Sequence, residues 1–270
     1  MALERVAREG LVLLGCGKMG SALLAGWLAA GLPPGSVWVV EPHPTDWLKG
    51  AGVHLNATLP ATPAVVVLAV KPQMMGAALP ALQAMGNGQT LVVSIAAGTA
   101  IATFEAVFGD RTPIVRAMPN TPAMVGRGIT GICANAHAGA EGLALARALM
   151  QAVGEVVELE GEHQIDAVTA LSGGGPAYVF HMIEAMAAAG EALGLAPDVA
   201  MRLARVTVCG AGELARRSDE PASQLRINVT SPGGTTAEAL KHLMDPETGL
   251  PPLMKRAVAA AAARGAELAK

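Results

Sequence analysis

A glycine-spaced segment near the start of the sequence constrains the fold more than any other feature. It reads Gly15-Cys16-Gly17-Lys18-Met19-Gly20 and stands between an apolar run at residues 11–14 and a helix that we predict at residues 21–30. In a G-x-G-x-x-G turn, the first glycine makes the tight turn, the second lets the backbone approach a pyrophosphate, and the third lets helix and strand pack closely. The helix N-terminus adds unpaired N–H groups for the phosphates. We therefore interpret this loop as the binding segment for a nicotinamide dinucleotide; the alternative is a turn without a ligand.

Apolar runs and helical segments alternate through the first part of the chain. The predicted strands are residues 11–14, 37–41, 64–70, 90–96, 113–118, 129–134 and 155–160. The predicted helices among them are residues 21–30, 73–85, 99–108 and 139–153. Continuous apolar strands that alternate with helices are typical of a parallel sheet covered on both faces. Residues 1–161 are therefore predicted to form one α/β domain.

The strand pattern stops after about residue 161. The helices predicted beyond it, which make residues 162–270 an all-α domain, are residues 165–169, 177–193, 198–217, 235–242 and 252–269. Residues 177–193 and 199–214 are apolar on nearly every face, which is typical of buried helices. One small core can hardly bury both of them, so we expect a helical dimer interface.

Glu41 stands at the end of the second predicted strand, where a dinucleotide-binding domain meets the adenosine ribose. A carboxylate at this position hydrogen-bonds a ribose 2′-hydroxyl and repels a 2′-phosphate. No arginine follows within the next few residues, although His43 and Lys49 are near in sequence. Glu41 therefore favours NADH over NADPH; the alternative is a solvated carboxylate at a strand end.

Two glycine-rich segments lead directly into predicted helices of the second domain. They are Ser172-Gly173-Gly174-Gly175-Pro176 and Ser231-Pro232-Gly233-Gly234-Thr235-Thr236. Such a start presents backbone donors and the positive end of a helix dipole, which together can receive an anion. The alternative is that these are ordinary turn and cap residues. Two such starts in one helical domain favour a site for a substrate carboxylate.

Candidate acid–base groups are scarce in the second domain. No lysine stands between Lys71 and Lys241, and we interpret His181 as a core histidine of an apolar helix. A protonated C=N bond accepts hydride without a strong general acid, whereas the reduction of a carbonyl needs one. The sequence therefore favours an imine substrate.

Composition and charge exclude several classes of protein. Hydrophobic residues make up 52% of the chain, but no apolar run reaches the roughly 18 residues that a membrane-spanning helix needs. A net charge of -3 without a basic block argues against nucleic-acid binding. Cys16, Cys133 and Cys209 form no C-x-x-C pair, so we expect no metal site, and we expect Cys133 and Cys209 to be buried. Residues 1–10 show no secretory signal, and a cytoplasmic protein is expected.

Longer motifs resemble the pyrroline-5-carboxylate reductase family, which catalyses the last step of proline biosynthesis. The most specific is Asn-Val-Thr-Ser-Pro-Gly-Gly-Thr-Thr-Ala-Glu-Ala-Leu at residues 228–240, supported by residues 69–72, 96–98, 116–122 and 171–178. The resemblance extends from Leu11 to about Leu243. It implies a Rossmann-type, doubly wound domain followed by an all-α dimerisation domain, in a homodimer that sometimes builds larger assemblies. It also implies NADPH or NADH as cofactor and a small cyclic imino acid as substrate.

The resemblance implies roles for particular residues. The dinucleotide would be lined by Ala69, Val70, Lys71 and Pro72, with Asn56 near its ribose–phosphate portion. The nicotinamide would be flanked by Ala97, Met118, Pro119 and Asn120. The substrate would be bound by Ser172, Gly175, Ser231, Gly233, Gly234, Thr235 and Thr236. The Thr236 hydroxyl would lie by the ring nitrogen, as a proton donor or as an orienting group.

The sequence departs from the family pattern at two positions. Gly174 stands where the family usually has serine, which removes one hydroxyl but keeps the backbone receptor. Glu41-Pro42-His43 replaces an Asn-Arg-type sequence suited to NADPH, so the choice of cofactor is left open by the resemblance.

Two other functions are alternatives to this interpretation. A β-hydroxyacid dehydrogenase shares the glycine loop but depends on a lysine in the helix after its own glycine-rich segment, and no lysine follows Pro176 in the corresponding helix here. A dinucleotide-sensing regulator would have lost its active site, whereas Thr235 and Thr236 are intact.

Overall fold

The computed structural model describes residues 2–268. Met1, Ala269 and Lys270 lie outside the described residues, and so does the last residue of the helix predicted at 252–269. The chain divides into two compact units, one made of residues up to Gly173 together with those from Ala262 onward, the other of Gly174–Ala261.

The first unit alternates strands and helices, as its sequence predicts. The strands are β1 (Leu11–Leu14), β2 (Val37–Val40), β3 (His54–Leu55), β4 (Val65–Leu68), β5 (Leu91–Ser94), β6 (Ile114–Met118), β7 (Gly128–Ala134) and β8 (Gly154–Glu158). The helices are α1 (Ala2–Glu9), α2 (Lys18–Ala29), α3 (Asp46–Lys49), α4 (Pro72–Ala78), α5 (Ile101–Phe108), α6 (Gly139–Gln151) and α7 (Ile165–Val168). The helix predicted at residues 73–85 is α4 followed by a 3₁₀ segment, Leu79–Met85, because Pro80 removes a backbone donor.

The strands form one sheet in the order β3-β2-β1-β4-β5-β6-β7-β8. All neighbouring strands are parallel except β6 and β7, which pair antiparallel with Val115 opposite Ala134. The connection between these two strands holds only a short 3₁₀ segment, Thr121–Val125, and is too short for a parallel crossover. The doubly wound α/β prediction is thus confirmed, with one reversed pair.

Alternate residues of the central strands supply two separate cores. Leu11, Leu13, Val65 and Val67 pack into one apolar cluster, whose other members include Leu23 and Trp27 of α2 and Leu149 of α6. Val12, Leu14, Val66 and Leu68 pack into the other, together with Met75 of α4 and Phe104 of α5. Because the strand order reverses between β1 and β4, a crevice forms at their carboxyl ends, where parallel α/β sheets bind ligands.

The second unit consists of helices. They are α8 (Gly175–Ala192), α9 (Pro197–Arg217), α10 (Ala222–Asn228), α11 (Thr235–Leu243) and α12, which runs over Leu250–Leu268 and ends in the first unit. α8 packs on α9 through small residues: Ala187, Ala200 and Ala204 are buried, and a Cβ on Gly190 would lie 3.2 Å from the Cβ of Ala200. Within residues 2–268, no helix is long and apolar enough to cross a membrane.

Two expectations about buried side chains in these helices are wrong for the single chain. His181 is 82% exposed and lies 3.0 Å from the Glu184 carboxylate. Cys209 is also exposed, whereas Cys133 is buried in the sheet as expected. Both errors have one cause, because α8 and α9 bury only one face of each helix within the chain.

Candidate functional site

The glycine loop connects β1 to α2 at the crevice. Gly15 has φ +88°, and a Cβ on it would lie 2.7 Å from Val70 Cγ1. A Cβ on Gly20 would lie 2.5 Å from the carbonyl oxygen of Gly15. A Cβ on Gly17 would meet no atom of the chain within 4 Å. Gly15 and Gly20 are thus needed by the protein itself, while Gly17 leaves open space for a group from outside the chain.

The N-terminus of α2 lies at this open space. α2 begins at Lys18 after Gly17, and no side chain of the described residues caps it. The Ser21 hydroxyl donates instead to the Cys16 carbonyl oxygen at 2.8 Å, which fixes the loop. Uncapped N–H groups and the positive end of the helix dipole fit the phosphates of a dinucleotide.

The Glu41 carboxylate is fixed at the end of β2. Glu41 Oε2 accepts a hydrogen bond from the Cys16 N–H at 2.8 Å, and Oε1 accepts one from the His43 N–H at 3.0 Å. Burial raises the pKa of the Cys16 thiol, and the Glu41 charge adds to this effect. The Glu41 carboxylate therefore stands against the glycine loop rather than free in solvent.

The Asn56 side chain forms hydrogen bonds with both backbone polar groups of Glu41. Its Oδ1 accepts from the Glu41 N–H and its Nδ2 donates to the Glu41 carbonyl oxygen, both at 2.9 Å. Asn56 has φ +49°, a left-handed conformation that asparagine tolerates better than most residues. Its amide thus positions Glu41, in addition to any role near the ribose.

Two cavities are lined in part by residues 41–43. One, of about 550 Å³, is lined by apolar side chains and by Pro42, Asn56, Val70 and Met74. The other, of about 470 Å³, is lined by Cys16, Gly17, Lys18, Glu41, His43, Thr45, Trp47 and Met124. Sequence reasoning did not assign Thr45, Trp47 or Met124, and no motif marks them. The open glycine loop, the uncapped helix and these cavities together fit a dinucleotide.

The other predicted cofactor residues follow the carboxyl ends of β4, β5 and β6, at the same edge of the sheet. Residues 69–72 continue from β4, where the Ala69 N–H donates to the Leu14 carbonyl oxygen at 2.8 Å. Ala97 follows β5 and is exposed, while Pro119 and Asn120 follow Met118 and are buried. Neighbouring parallel strands bring these segments together.

Ser172 lies in a π-helical turn, Thr169–Gly173, at the end of the first of the two segments that make up the first unit. Its Oγ is buried and has no hydrogen-bond partner among the described residues. The carbonyl oxygen of Ser172 accepts a hydrogen bond from Asn120 Nδ2 at 3.3 Å. Turns of this kind often occur at functional sites, and an unsatisfied buried hydroxyl is unfavourable unless a ligand completes it.

The second unit contains the other glycine-rich start. α11 begins at Thr235, Gly234 is its N-cap, and no side chain of the described residues caps it. Gly233 has φ +69°, and the Gly234 N–H donates to the Ser231 carbonyl oxygen at 3.0 Å. Thr235 and Thr236 are exposed in the first turn, and Gly175 begins α8 in the same unit. The α11 start offers backbone donors and hydroxyls to an anionic ligand.

Two family models match the chain. Residues 162–268 match the model described as pyrroline-5-carboxylate reductase dimerisation. Residues 10–98 match the model described as NADP oxidoreductase coenzyme F420-dependent. The two matches correspond to the predicted order of a dinucleotide-binding domain followed by a helical one.

Curated relatives and solved structures of pyrroline carboxylate reductases resemble this chain along nearly its whole length. The chain is 42% identical to the pyrroline-5-carboxylate reductase of Pseudomonas aeruginosa, over 96% of this chain and 97% of that protein. It is 42% identical to the enzyme of that name in Synechocystis, over 96% and 98%. The structure of a pyrroline-5-carboxylate reductase from Coxiella burnetii superposes with a TM-score of 0.91 at 37% identity, over 97% of this chain and 99% of that one. The Plasmodium falciparum pyrroline carboxylate reductase with NADP bound gives 0.82 at 30%, over 97% and 98%. The chain belongs to the pyrroline-5-carboxylate reductase family.

Proposed function

We propose that this chain reduces 1-pyrroline-5-carboxylate to L-proline with NADH or NADPH, as the last step of proline biosynthesis. The observation that carries the proposal is the match to named relatives along nearly the whole chain. The site supports it, because the first unit holds an open glycine loop and the second an uncapped helix preceded by Ser231 and Gly233.

The chain's own residues bind and orient the reactants. The α2 N-terminus and the open side of Gly17 receive the pyrophosphate. In this proposal, the uncapped start of α11 offers backbone N–H groups to the substrate carboxylate. The family resemblance supports a place for the Thr236 hydroxyl by the ring nitrogen. When bound, the reduced nicotinamide supplies the hydride for the imine carbon. Because the protonated imine already carries the positive charge that accepts hydride, the residues need only hold and orient it.

Glu41 is proposed to favour NADH. Two backbone N–H groups hold its carboxylate at the glycine loop, and Asn56 holds its backbone. A carboxylate fixed in this way repels a 2′-phosphate and accepts a hydrogen bond from a 2′-hydroxyl. The Plasmodium relative contains NADP, so this preference would be a feature of the individual chain.

Residues 162–270 are proposed as the substrate-binding and dimerisation domain of a homodimer. The match of residues 162–268 to a dimerisation model and the exposed apolar faces of α8 and α9 support the dimer. A cytoplasmic location is part of the proposal, since the three free cysteines suit a reducing compartment.

One assay tests the function. The purified protein is mixed with NADH or NADPH and 1-pyrroline-5-carboxylate, and in parallel with the oxidised cofactors and a 3-hydroxyacid. We expect cofactor oxidation with the cyclic imine and no reaction with the hydroxyacid. Turnover of the hydroxyacid alone would establish a dehydrogenase, and no turnover of either would support a dinucleotide-sensing regulator.

A further inference from the structure

A carboxylate outside the predicted site joins two segments of the first unit. Glu162 Oε1 accepts a hydrogen bond from Arg116 Nη1 at 2.8 Å. The same oxygen accepts one from the backbone N–H of Ile101 at 2.7 Å. Arg116 belongs to β6, and Ile101 is the first residue of α5. One carboxylate atom therefore fixes the distance between a strand and the start of a helix.

Both segments lead directly to the predicted nicotinamide pocket. Ile101 ends the short connection from β5 that contains Ala97, and Arg116 lies just before Met118 at the end of β6. Within the proposed function, these segments form two walls around the reacting ring. A change in their spacing would move the nicotinamide relative to the imine carbon.

Glu162 also begins the segment that leads to Ser172. From Glu162 the chain continues through α7 into the π-helical turn. At the far end of this segment, Asn120 Nδ2 donates to the Ser172 carbonyl oxygen, while Asn120 Oδ1 accepts from the Ile129 N–H at 2.9 Å. The segment is thus attached at both ends to the strands that border the pocket.

The ion pair between Arg116 and Glu162 fixes the positions of the segments it joins and contributes little to the stability of the fold. The Arg116 side chain is only 7% exposed. Across the sheet it pairs in register with Cys133, whose thiol pKa is raised to about 11, chiefly by burial. Glu162 is 34% exposed, and the cost of removing the Arg116 charge from water offsets much of the attraction between the two side chains, so the pair adds little net stability. Buried charged pairs hold side chains in a defined arrangement when their hydrogen bonds are satisfied.

We propose that Glu162 is a positioning residue for hydride transfer, which holds the segment after β5 and the end of β6 at the spacing the reaction needs. This inference rests on the proposed function. Glu162 acts through its hydrogen bonds with Ile101 and Arg116.

Two substitutions separate positioning from general stability. Glu162→Asp keeps the charge beside Arg116, but its shorter side chain cannot reach both donors. Glu162→Gln keeps the length and an acceptor oxygen, but it leaves the buried Arg116 charge without a counter-charge. We therefore expect the aspartate variant to retain most of its thermal stability and lose rate, and the glutamine variant to lose more stability and retain more of its rate. Glu158→Asp and Glu158→Gln are the controls, because Glu158 pairs with Arg147 at the surface.

The measurements are kcat, KM for each reactant, thermal stability, and the kinetic isotope effect with cofactor deuterated at the transferred position. For Glu162→Asp we expect kcat to fall about tenfold or more, since displacements of about 1 Å cost up to about 100-fold in rate. The isotope effect should rise, and KM should change much less. A wild-type rate and isotope effect in Glu162→Asp would overturn the inference. It would also be overturned if the decrease in kcat of both variants were fully explained by the fraction of unfolded protein. Wild-type protein without pyrroline-5-carboxylate turnover would instead overturn the proposed function.

Discussion

At the scale of single residues, Glu41 is the side chain on which cofactor choice depends. Two backbone N–H groups hold its carboxylate, so it cannot easily turn away from a 2′-phosphate. We expect Glu41→Ser to raise the ratio of kcat/KM for NADPH to that for NADH by about tenfold or more, equivalent to about 1.4 kcal/mol. Steady-state kinetics with both cofactors on one preparation give this ratio. Asp46→Asn removes a nearby exposed carboxylate as a control, and an unchanged ratio in Glu41→Ser would refute the assignment.

Thr236 is the residue whose replacement we expect to lower turnover. Its hydroxyl is exposed in the first turn of α11, where the family resemblance places the ring nitrogen of the substrate. We expect Thr236→Ala to lower kcat by about 100-fold, within the usual range for a lost acid or orienting group, with cofactor binding nearly unchanged. Turnover and cofactor fluorescence titration measure the two effects. Thr248→Ala is a matched control, because its hydroxyl donates to Asp245 just beyond the C-terminal end of α11, at the opposite end of the helix from Thr236. An unaltered rate in Thr236→Ala would leave the residue as scaffold.

Removal of the Ser172 hydroxyl should affect the stability of the fold and the binding of substrate in opposite directions. An unsatisfied buried hydroxyl costs about 1–3 kcal/mol, so Ser172→Ala should leave the melting temperature unchanged or raise it. If the hydroxyl binds substrate, the same variant should raise KM for pyrroline-5-carboxylate several-fold. Calorimetry and kinetics on one preparation test both effects. A lower melting temperature with an unchanged KM would show that the hydroxyl has a structural partner and no ligand.

At the scale of elements, the connection from β1 to α2 separates glycines needed by the fold from one that faces the ligand. A methyl group on Gly20 would overlap the Gly15 carbonyl oxygen, whereas one on Gly17 would meet no atom of the chain. Gly20→Ala should therefore lower the free energy of unfolding by about 1–3 kcal/mol. Gly17→Ala should keep the stability and weaken cofactor binding, because its methyl group stands where the pyrophosphate approaches. Equal effects of both variants on melting temperature and cofactor KM would contradict this division.

Some of the strands and helices could be predicted from sequence patterns, and others could not. β1, β4 and β5 are buried on both faces, so their sequences are short, mostly apolar runs, and their length and branched side chains indicate strands rather than helices. The direction of β7 has no such signal, since an apolar strand reads alike in either orientation. β3 is too short to leave a pattern, and α1 and α10 were not predicted. α1 is held to α6 by a contact between residues far apart in the chain, a hydrogen bond from Arg5 to Glu141.

Some parts of the candidate site are visible in the sequence, and others appear only in the folded structure. The glycine loop and the Ser231–Thr236 start are local, so their residue types and spacing are visible in the sequence. The hydrogen bonds that arrange them join residues far apart in the chain, as between Asn56 and Glu41 or between Glu162 and Arg116. Only the folded sheet brings these partners together. An arginine within the otherwise apolar β6 is a sequence signal that a counter-charge lies beside this strand.

At the scale of the whole molecule, exposed apolar surface is distributed unevenly along the chain. Among the described residues, sixteen of the twenty-three exposed large apolar side chains lie in the second unit. They include Phe180 on α8 and Leu203, Val206 and Leu214 on α9. Monomeric proteins rarely leave so much apolar surface in contact with water. The all-round apolar pattern of both helices is explained if a second copy of the chain covers the faces that the first leaves exposed.

A charge placed on this surface tests the dimer directly. Val206 is 63% exposed in the single chain, and in a dimer through α9 the substitution Val206→Glu would bury an unpaired carboxylate. We expect the dissociation constant of the dimer to rise by about 100-fold or more, because burying such a charge costs several kcal/mol. Light scattering at micromolar concentration should give twice 27.2 kDa for the wild-type protein and a lower mass for the variant. Val157→Glu makes the same change at a valine of β8 that is 47% exposed and lies outside the dimerisation match, so it should remain dimeric. A monomeric wild-type protein would rule out the dimer, and a dimeric Val206→Glu variant would move the interface away from this face of α9.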